Sequence, residues 1–320
     1  MNDAPRTLHS VREDAFNYVW DNALEPALEV EDGAIVELHV RDASDEQIRA
    51  DSGPEDVTKL DFDHVNPVSG PVFLKGAGPG DVLAVDLLEF RPPDWGWTAL
   101  IPGFGLLADE FPESWLRISR VDGEAGRVRW SDEISLPYRP FPGTIGVAPA
   151  EPGQHPILPP SRWGGNMDTK HLLVGSTLYL PVGVEGALFS LGDTHAAQGD
   201  GEVCGTAIET AMDVVVRLSV RRDFQIEAPQ YRLPEGALAE SERSAYHVCT
   251  GVGPDLMEAA KEAVRATIRR LGEERGLGRE EAYALCSVAV DLRIHEIVDA
   301  PNWVVGAFLP DDIFEKGERS

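Results

Sequence analysis

Lysine is scarce in this chain of 320 residues: only Lys59, Lys75, Lys170, Lys261 and Lys316 occur among 28 basic residues, against 55 acidic ones. The formal charge of −27 repels phosphate backbones and anionic lipid, which excludes nucleic acid and membrane surfaces as expected partners. Three cysteines (Cys204, Cys249, Cys286) are too widely spaced, and odd in number, for a disulfide framework or a thiolate zinc site. Their apolar neighbours make each a small core residue. No run approaches the roughly 18 apolar residues that span a bilayer. The start, M-N-D-A-P-R-T-L-H-S, lacks the basic and apolar parts of a signal peptide, so a cytoplasmic protein is expected. An acid-rich, lysine-poor surface suits a salt-saturated cytoplasm, where salt screens self-repulsion; an ordinary acidic enzyme is the alternative.

What is present points to a folded globule: 42% of residues are hydrophobic and seven are tryptophan. Strand patterns run over Ala34–Val40, Asp81–Leu88 and Met212–Val220, with a short hairpin over Arg127–Trp130 and Asp132–Leu136. In the clearest of them Met212, Val214, Val216, Leu218 and Val220 share one face. Gly- and Pro-rich turns separate the strands. The C-terminal third differs. Pro254–Leu271 has the periodicity of an amphipathic helix, with Gly272 as its expected C-cap, a second helix begins at Arg279, and V-A-V-D-L-R-I reads as a buried strand. A mainly β (α+β) architecture of barrel or sandwich type is expected, as one domain over 1–320 with a β-rich part to 250 and a helix–helix–strand element over 251–320.

The segment L-G-D-T-H-A-A-Q-G-D-G-E (191–202) is the densest in chemistry, holding Asp193, His195, Gln198, Asp200 and Glu202 with three glycines and no basic side chain. In extended structure Asp193 and His195 project to the same side and can grip one ion. Asp, Glu and His together suit Zn²⁺, Mn²⁺ or Fe²⁺, and an all-oxygen neighbour Ca²⁺ or Mg²⁺. The spacing leaves an elaborate loop as the alternative. Further clusters are G-G-N-M-D-T-K (164–170), E-L-H-V-R-D (37–42) and D-F-D-H-V-N-P-V-S-G (61–70).

With these segments goes a resemblance. D-H-V-N-P-V-S-G-P-V (63–72), G-A-G-P-G-D-V-L (76–83), W-G-W-T (95–98), P-G-F-G-L-L-A-D-E-F-P (102–112), P-F-P-G-T-I-G-V-A-P-A (140–150), G-G-N-M-D (164–168) and G-A-L-F-S-L-G-D-T-H-A-A-Q-G-D-G-E-V (186–203) make the chain similar to the acetamidase/formamidase family over nearly its whole length. The resemblance implies a hydrolase of short linear amides such as acetamide and formamide, acting through a metal-activated water. It also implies a homo-oligomer and a divalent cofactor, zinc with calcium as a second candidate. Carried over by position, Asp42, His64, Asp193, His195 and Glu202 are the implied metal ligands. Glu202, Asp168 and Asn166 are the implied catalytic groups, and Gln198 and Asp200 the substrate-orienting ones. One departure is that Gln47 sits in an acidic insertion, D-A-S-D-E-Q. Three rival readings remain at this point: a covalent route through Cys204 with Lys170, a non-catalytic metal-containing binding protein, and a hydrolase of cyclic amides or ureas.

Overall fold

A computed structural model of the chain describes residues 7–91, 93–237, 245–297 and 301–315. Alternating apolar residues place strands on two facing sheets. In the first, Ile35–Val40 lies beside Met212–Arg221, which pairs in turn with Val82–Phe90 and then Thr177–Pro181; Leu8–Ser10 and Gln230–Arg232 form its edges. In the second, Phe189–His195 runs between Phe141–Gly146 and Val68–Leu74, with Gly164–Asn166 and Phe16–Asn17 outside them. Val36, Leu38, Val214, Val216 and Leu218 from one sheet meet Val72, Phe141, Phe189 and Leu191 from the other in one buried core. This is the sandwich that the strand pattern predicts. A smaller antiparallel sheet, including Trp95–Leu100 and Trp115–Asp122, stands beside it.

The helices pack against a second core. Leu256–Arg275 is capped by the Asp255 carboxylate, which accepts from Glu258 N at 2.9 Å. It buries Ala259, Ala263, Val264, Ile268 and Leu271. It runs through Gly272, the expected cap, and ends instead at Gly276, whose φ of 69° closes the last turn. The second helix, Arg279–Ala289, is buried continuously from Ala282 to Val288. The expected strand V-A-V-D-L-R-I is therefore divided: its first two residues finish this helix, Val290 caps it, and the strand begins at Asp291. Burial of Val288 on a helix and of a strand residue look alike in sequence, which is why periodicity did not separate them. Among the described residues no helix is long and apolar enough to cross a membrane.

Three hydrogen bonds tie the helical part to the segment around Gly199. Gly199 N donates to Ser287 O at 2.8 Å, Leu292 N to Asp200 O at 3.0 Å, and the Ser287 hydroxyl to Thr206 O at 2.7 Å. The approach at Gly199 is so close that a Cβ there would lie 2.1 Å from Val290 O. Only glycine fits. Gly199→Ala is expected to cost about 1–3 kcal/mol by forcing this seam apart; an unchanged urea denaturation midpoint would refute the assignment.

Candidate active site

The strand Phe189–His195 leaves regular geometry at Asp193, whose φ is 53°. Asp168, Glu202 and Asn66 also have positive φ (47°, 41° and 48°). Non-glycine residues rarely adopt this region, and its concentration here marks backbone held in place by its surroundings. Asp193 and His195 do converge, as the period-two argument expects, but through a left-handed residue in the strand. His195 Nε2 lies 3.2 Å from Asp193 Oδ1.

Beyond His195 the chain doubles back. Ala196 N donates to Ile208 O at 2.9 Å, Ile208 N to Ala197 O at 3.0 Å and Thr210 N to Thr194 O at 3.0 Å. This pairing sets Glu209 directly across from His195, while its backbone also bridges to Trp97 of the small sheet. Glu209 Oε2 stands 3.1 Å from His195 Nε2, and Oε1 accepts from Ala207 N at 2.7 Å. Glu209 was not singled out by sequence. Its only signal is a carboxylate in an otherwise apolar and small run, V-C-G-T-A-I-E.

The orientation of His195 follows from its neighbours. Gln198 Nε2 donates to Asp168 O at 2.9 Å, which turns Gln198 Oε1 toward His195 Nδ1, 2.9 Å away. An amide oxygen only accepts, so Nδ1 carries a proton and Nε2 is the ring nitrogen that faces Asp193 and Glu209. Phe141 packs edge-on against the ring at 5.1 Å. Asp193 Oδ2 accepts from Asn66 Nδ2 at 3.1 Å and from the Thr144 hydroxyl at 3.2 Å. Gly143 forms the floor: a Cβ there would lie 2.6 Å from Asp168 Oδ1 and 2.8 Å from Asp193 Oδ2.

Two overlapping sets share His195: Asp168 with Asp193, and Glu202 with Glu209, each set bringing its donor atoms within 4.8 Å of one another. Asp168 Oδ1 is buried without a well-aligned hydrogen bond, and Glu209 Oε2 is buried with only the His195 imidazole, 3.1 Å away, as its partner. Burial, then the Asp193 charge, pushes Asp168 up to about 6. Burial raises Glu209 to about 7, and together with Asp168 it lifts Glu202 well above the usual carboxylate range. Burial opposes charge on His195 too, but Glu209 and Asp193 overcome it and raise the imidazole well above 6.5. Burial also pushes against Asp193, yet His195 holds it below its ordinary value. Buried charge is stable only when neutralised, paired or coordinated; here three carboxylates are pushed toward their protonated forms and His195 toward its charged form, and a divalent cation could take the place of those protons. Imidazole and carboxylate donors about 3.1–3.2 Å apart fit a small divalent ion, whose tetrahedral ligands at about 2.0–2.1 Å lie roughly 3.3 Å from each other.

The other implied residues go elsewhere. Asp42 is buried, but its carboxylate accepts from Trp97 Nε1 (2.9 Å), Ser44 N (2.9 Å), the Ser44 hydroxyl (2.5 Å) and Glu46 N (3.0 Å). It anchors Trp97 in the wall and is not brought into either set. His64 is exposed and bonded through Nδ1 to Asp61 at 2.8 Å. Asp200 faces Lys170 at 3.5 Å, in a network with Asp291. Gln198 acts on His195, and Asn166, which accepts from Thr144 at 2.7 Å, lines the cavity. Cys204 is buried, with Sγ near Ala99 O at 3.5 Å, and burial raises its thiol, the reverse of an activated nucleophile. The cavity over the cluster measures about 230 Å³ and is lined inside by Asp193, Glu202, Glu209, Asn66 and Asn166. A separate cavity of about 100 Å³ touches Gln198 from behind, between Arg139, Lys170 and Asp291, and contains none of the cluster.

The sequence profile of the acetamidase/formamidase family matches residues 3–155 and 150–316. The formamidase of Methylophilus methylotrophus is 28% identical, covering 84% of this chain and 82% of its own length. A gamma lactamase from Delftia acidovorans overlays with a TM-score of 0.87 at 27% identity, over 95% of this chain and 90% of the other. An acetamidase from Bacillus halodurans overlays at 0.67 with 29% identity, over 95% and 97%.

Three outcomes check the site. Gln198→Leu removes the acceptor that fixes the imidazole, and divalent-ion affinity measured by calorimetry should drop about 10- to 100-fold. Cys204→Ser should keep most of whatever activity the protein has; complete loss with metal still bound would reinstate the thiol. In chelated protein, Asp168 and Glu209 bind protons more tightly folded than unfolded, between their ordinary values of 3.8 and 4.5 and the raised ones of about 6 and 7. Their contribution therefore falls as pH rises through that window. Thermal unfolding of chelated protein from pH 4 to 7 should show this decline, and metal-loaded protein should not.

Proposed function

The chain belongs to the acetamidase/formamidase family, and on that premise we propose that the buried cluster around His195 is where it hydrolyses short linear amides to a carboxylate and ammonia. The observation that carries this placement is the convergence of four carboxylates, of Asp168, Asp193, Glu202 and Glu209, on the one imidazole of His195, whose Nε2 lies 3.1–3.2 Å from Glu209 and Asp193. His195, Asp193 and Glu209 would hold a divalent ion, with Asp168 and Glu202 beside it as uncoordinated carboxyl groups. Such an ion supplies a water with its pKa lowered to about 7 and a Lewis-acid contact for the amide oxygen.

The rest of the reaction falls to the chain itself. Asn66 and Asn166 present side-chain amides at the inner end of the cavity, where they align the substrate's own amide. Glu202, kept protonated by burial and by Asp168, carries a proton toward the departing nitrogen, which must leave as ammonia rather than as an amide anion. Asp168, raised to about 6, is the partner that refills it. Gln198 keeps His195 in one tautomer throughout. A cavity of about 230 Å³, below the roughly 300–1,000 Å³ of pockets for drug-sized ligands, suits a substrate of few atoms.

A cyclic amide is the second reading, favoured by the overlay with the Delftia gamma lactamase. The decisive experiment measures ammonia release from formamide, acetamide and propionamide, and ring opening of a γ-lactam, at low and high salt. Each is repeated after exhaustive chelation and after add-back of Zn²⁺ or Mn²⁺. Release from the linear amides, lost on chelation and restored by metal, is the expected result. Activity untouched by complete metal removal would sink the metal-assisted reading, and ring opening alone would favour the second one. Glu209→Gln should lower kcat/KM by at least about 10²-fold, judged against removal of other electrostatic stabilisers.

A further inference from the structure

The cavity has two unlike ends. Its buried end is polar, and its outer end is formed by Leu60, Phe62, Val65, Ile101, Phe104 and Leu158. Phe62 and Phe104 stack on each other with ring centroids 5.4 Å apart and planes 18° from parallel, although they remain 45% and 42% exposed. Two rings from separate segments thus meet where the cavity opens to solvent.

Each ring is held from outside the cavity. Phe62 begins the 3-10 turn Phe62–His64. Gln47 clasps that turn: its Oε1 accepts from Asp61 N at 2.8 Å, and its Nε2 donates to Asp61 O at 3.2 Å and His64 O at 3.0 Å. His64 bonds to Asp61, and Tyr18 packs edge-on to it at 5.1 Å. On the other side, Phe104 N donates to Ile101 O at 2.9 Å, and Leu106 N donates to Val203 O at 2.8 Å, next to Glu202. The gap beneath the rings is therefore set by hydrogen-bonded turns rather than by loose side chains. A substrate whose amide lies among the buried polar groups has its acyl chain directed outward, against these rings.

We propose that the stacked Phe62–Phe104 pair selects substrates by acyl-chain length, admitting substituents that fit beneath the rings and rejecting those that must part them. This rests on the amide-hydrolase reading of the same site. It also gives a role to Gln47 and His64, which position Phe62 without touching substrate. An added methylene in a fitted apolar pocket changes selectivity by about 10- to 200-fold, so two rings suffice to set a sharp limit.

The test compares wild type with Phe62→Ala, Phe104→Ala and the bulkier Phe104→Trp. One readout is the ratio of kcat/KM for hexanamide to that for acetamide. The other is calorimetric binding of octanohydroxamate relative to acetohydroxamate to the zinc-loaded proteins. Each alanine variant should raise both ratios by about 10-fold or more, and Phe104→Trp should lower them, which guards against an alanine variant that fails to fold. Wild type that hydrolyses short amides with the same ratios in every variant overturns the selector while leaving the amidase reading intact. If no protein hydrolyses any amide, the amidase reading fails and binding decides: shifted hydroxamate ratios keep the selector, and unshifted ratios or no binding overturn it.

Discussion

The structure depends on an excess of buried negative charge around a single imidazole. Asp168, Asp193, Glu202 and Glu209 converge on His195, and among the described residues no lysine or arginine lines the cavity beside Asp193, Glu202 and Glu209. Bringing one carboxylate out of water without a partner costs several kcal/mol. Here His195 pairs with Asp193 and Glu209, while burial pushes Asp168, Glu202 and Glu209 toward their neutral forms. The left-handed backbone at Asp193, Asp168, Glu202 and Asn66 is a second unfavourable term at the same place. Stability is conceded here, and the two apolar cores on either side have to offset it.

The architecture explains how such a cluster is held. The sandwich supplies a rigid strand ending in Asp193 and His195, flanked on both sides by hydrogen-bonded neighbours. The returning chain brings Glu209 into register with His195 and fastens it to Trp97. Asp42, which sequence placed among the ligands, supports Trp97 from behind. In this arrangement the polar residues farther from His195 keep the nearer ones in place, as outer residues do in metal sites.

Much of this was legible in the sequence where the pattern is local. The period-two strands, the amphipathic helix after Asp255 and the D-T-H triplet are short-range signals, and the structure follows them. What depended on tertiary pairing was not legible. Glu209 lies fourteen residues beyond His195 in number but opposite it in register, and nothing in V-C-G-T-A-I-E announces that. His64 has ligand chemistry yet projects into solvent, because the turn that carries it directs Asn66 inward and the imidazole out. Gly272 and Gly276 are equally good helix stops in sequence, and only the observed left-handed backbone at Gly276 distinguishes them.

The seam between Gly199 and the Ser287–Val290 segment has a consequence for biosynthesis. The loop bearing Gln198 and Glu202 takes its shape from a helix encoded some eighty residues later, as the contact between Cys204 N and the Ser287 hydroxyl also records. A nascent chain that has completed the sandwich still lacks the partner that closes this loop. The loop therefore takes its final shape only once the chain has been made through residue 290, and a chain that stops short of it lacks this seam.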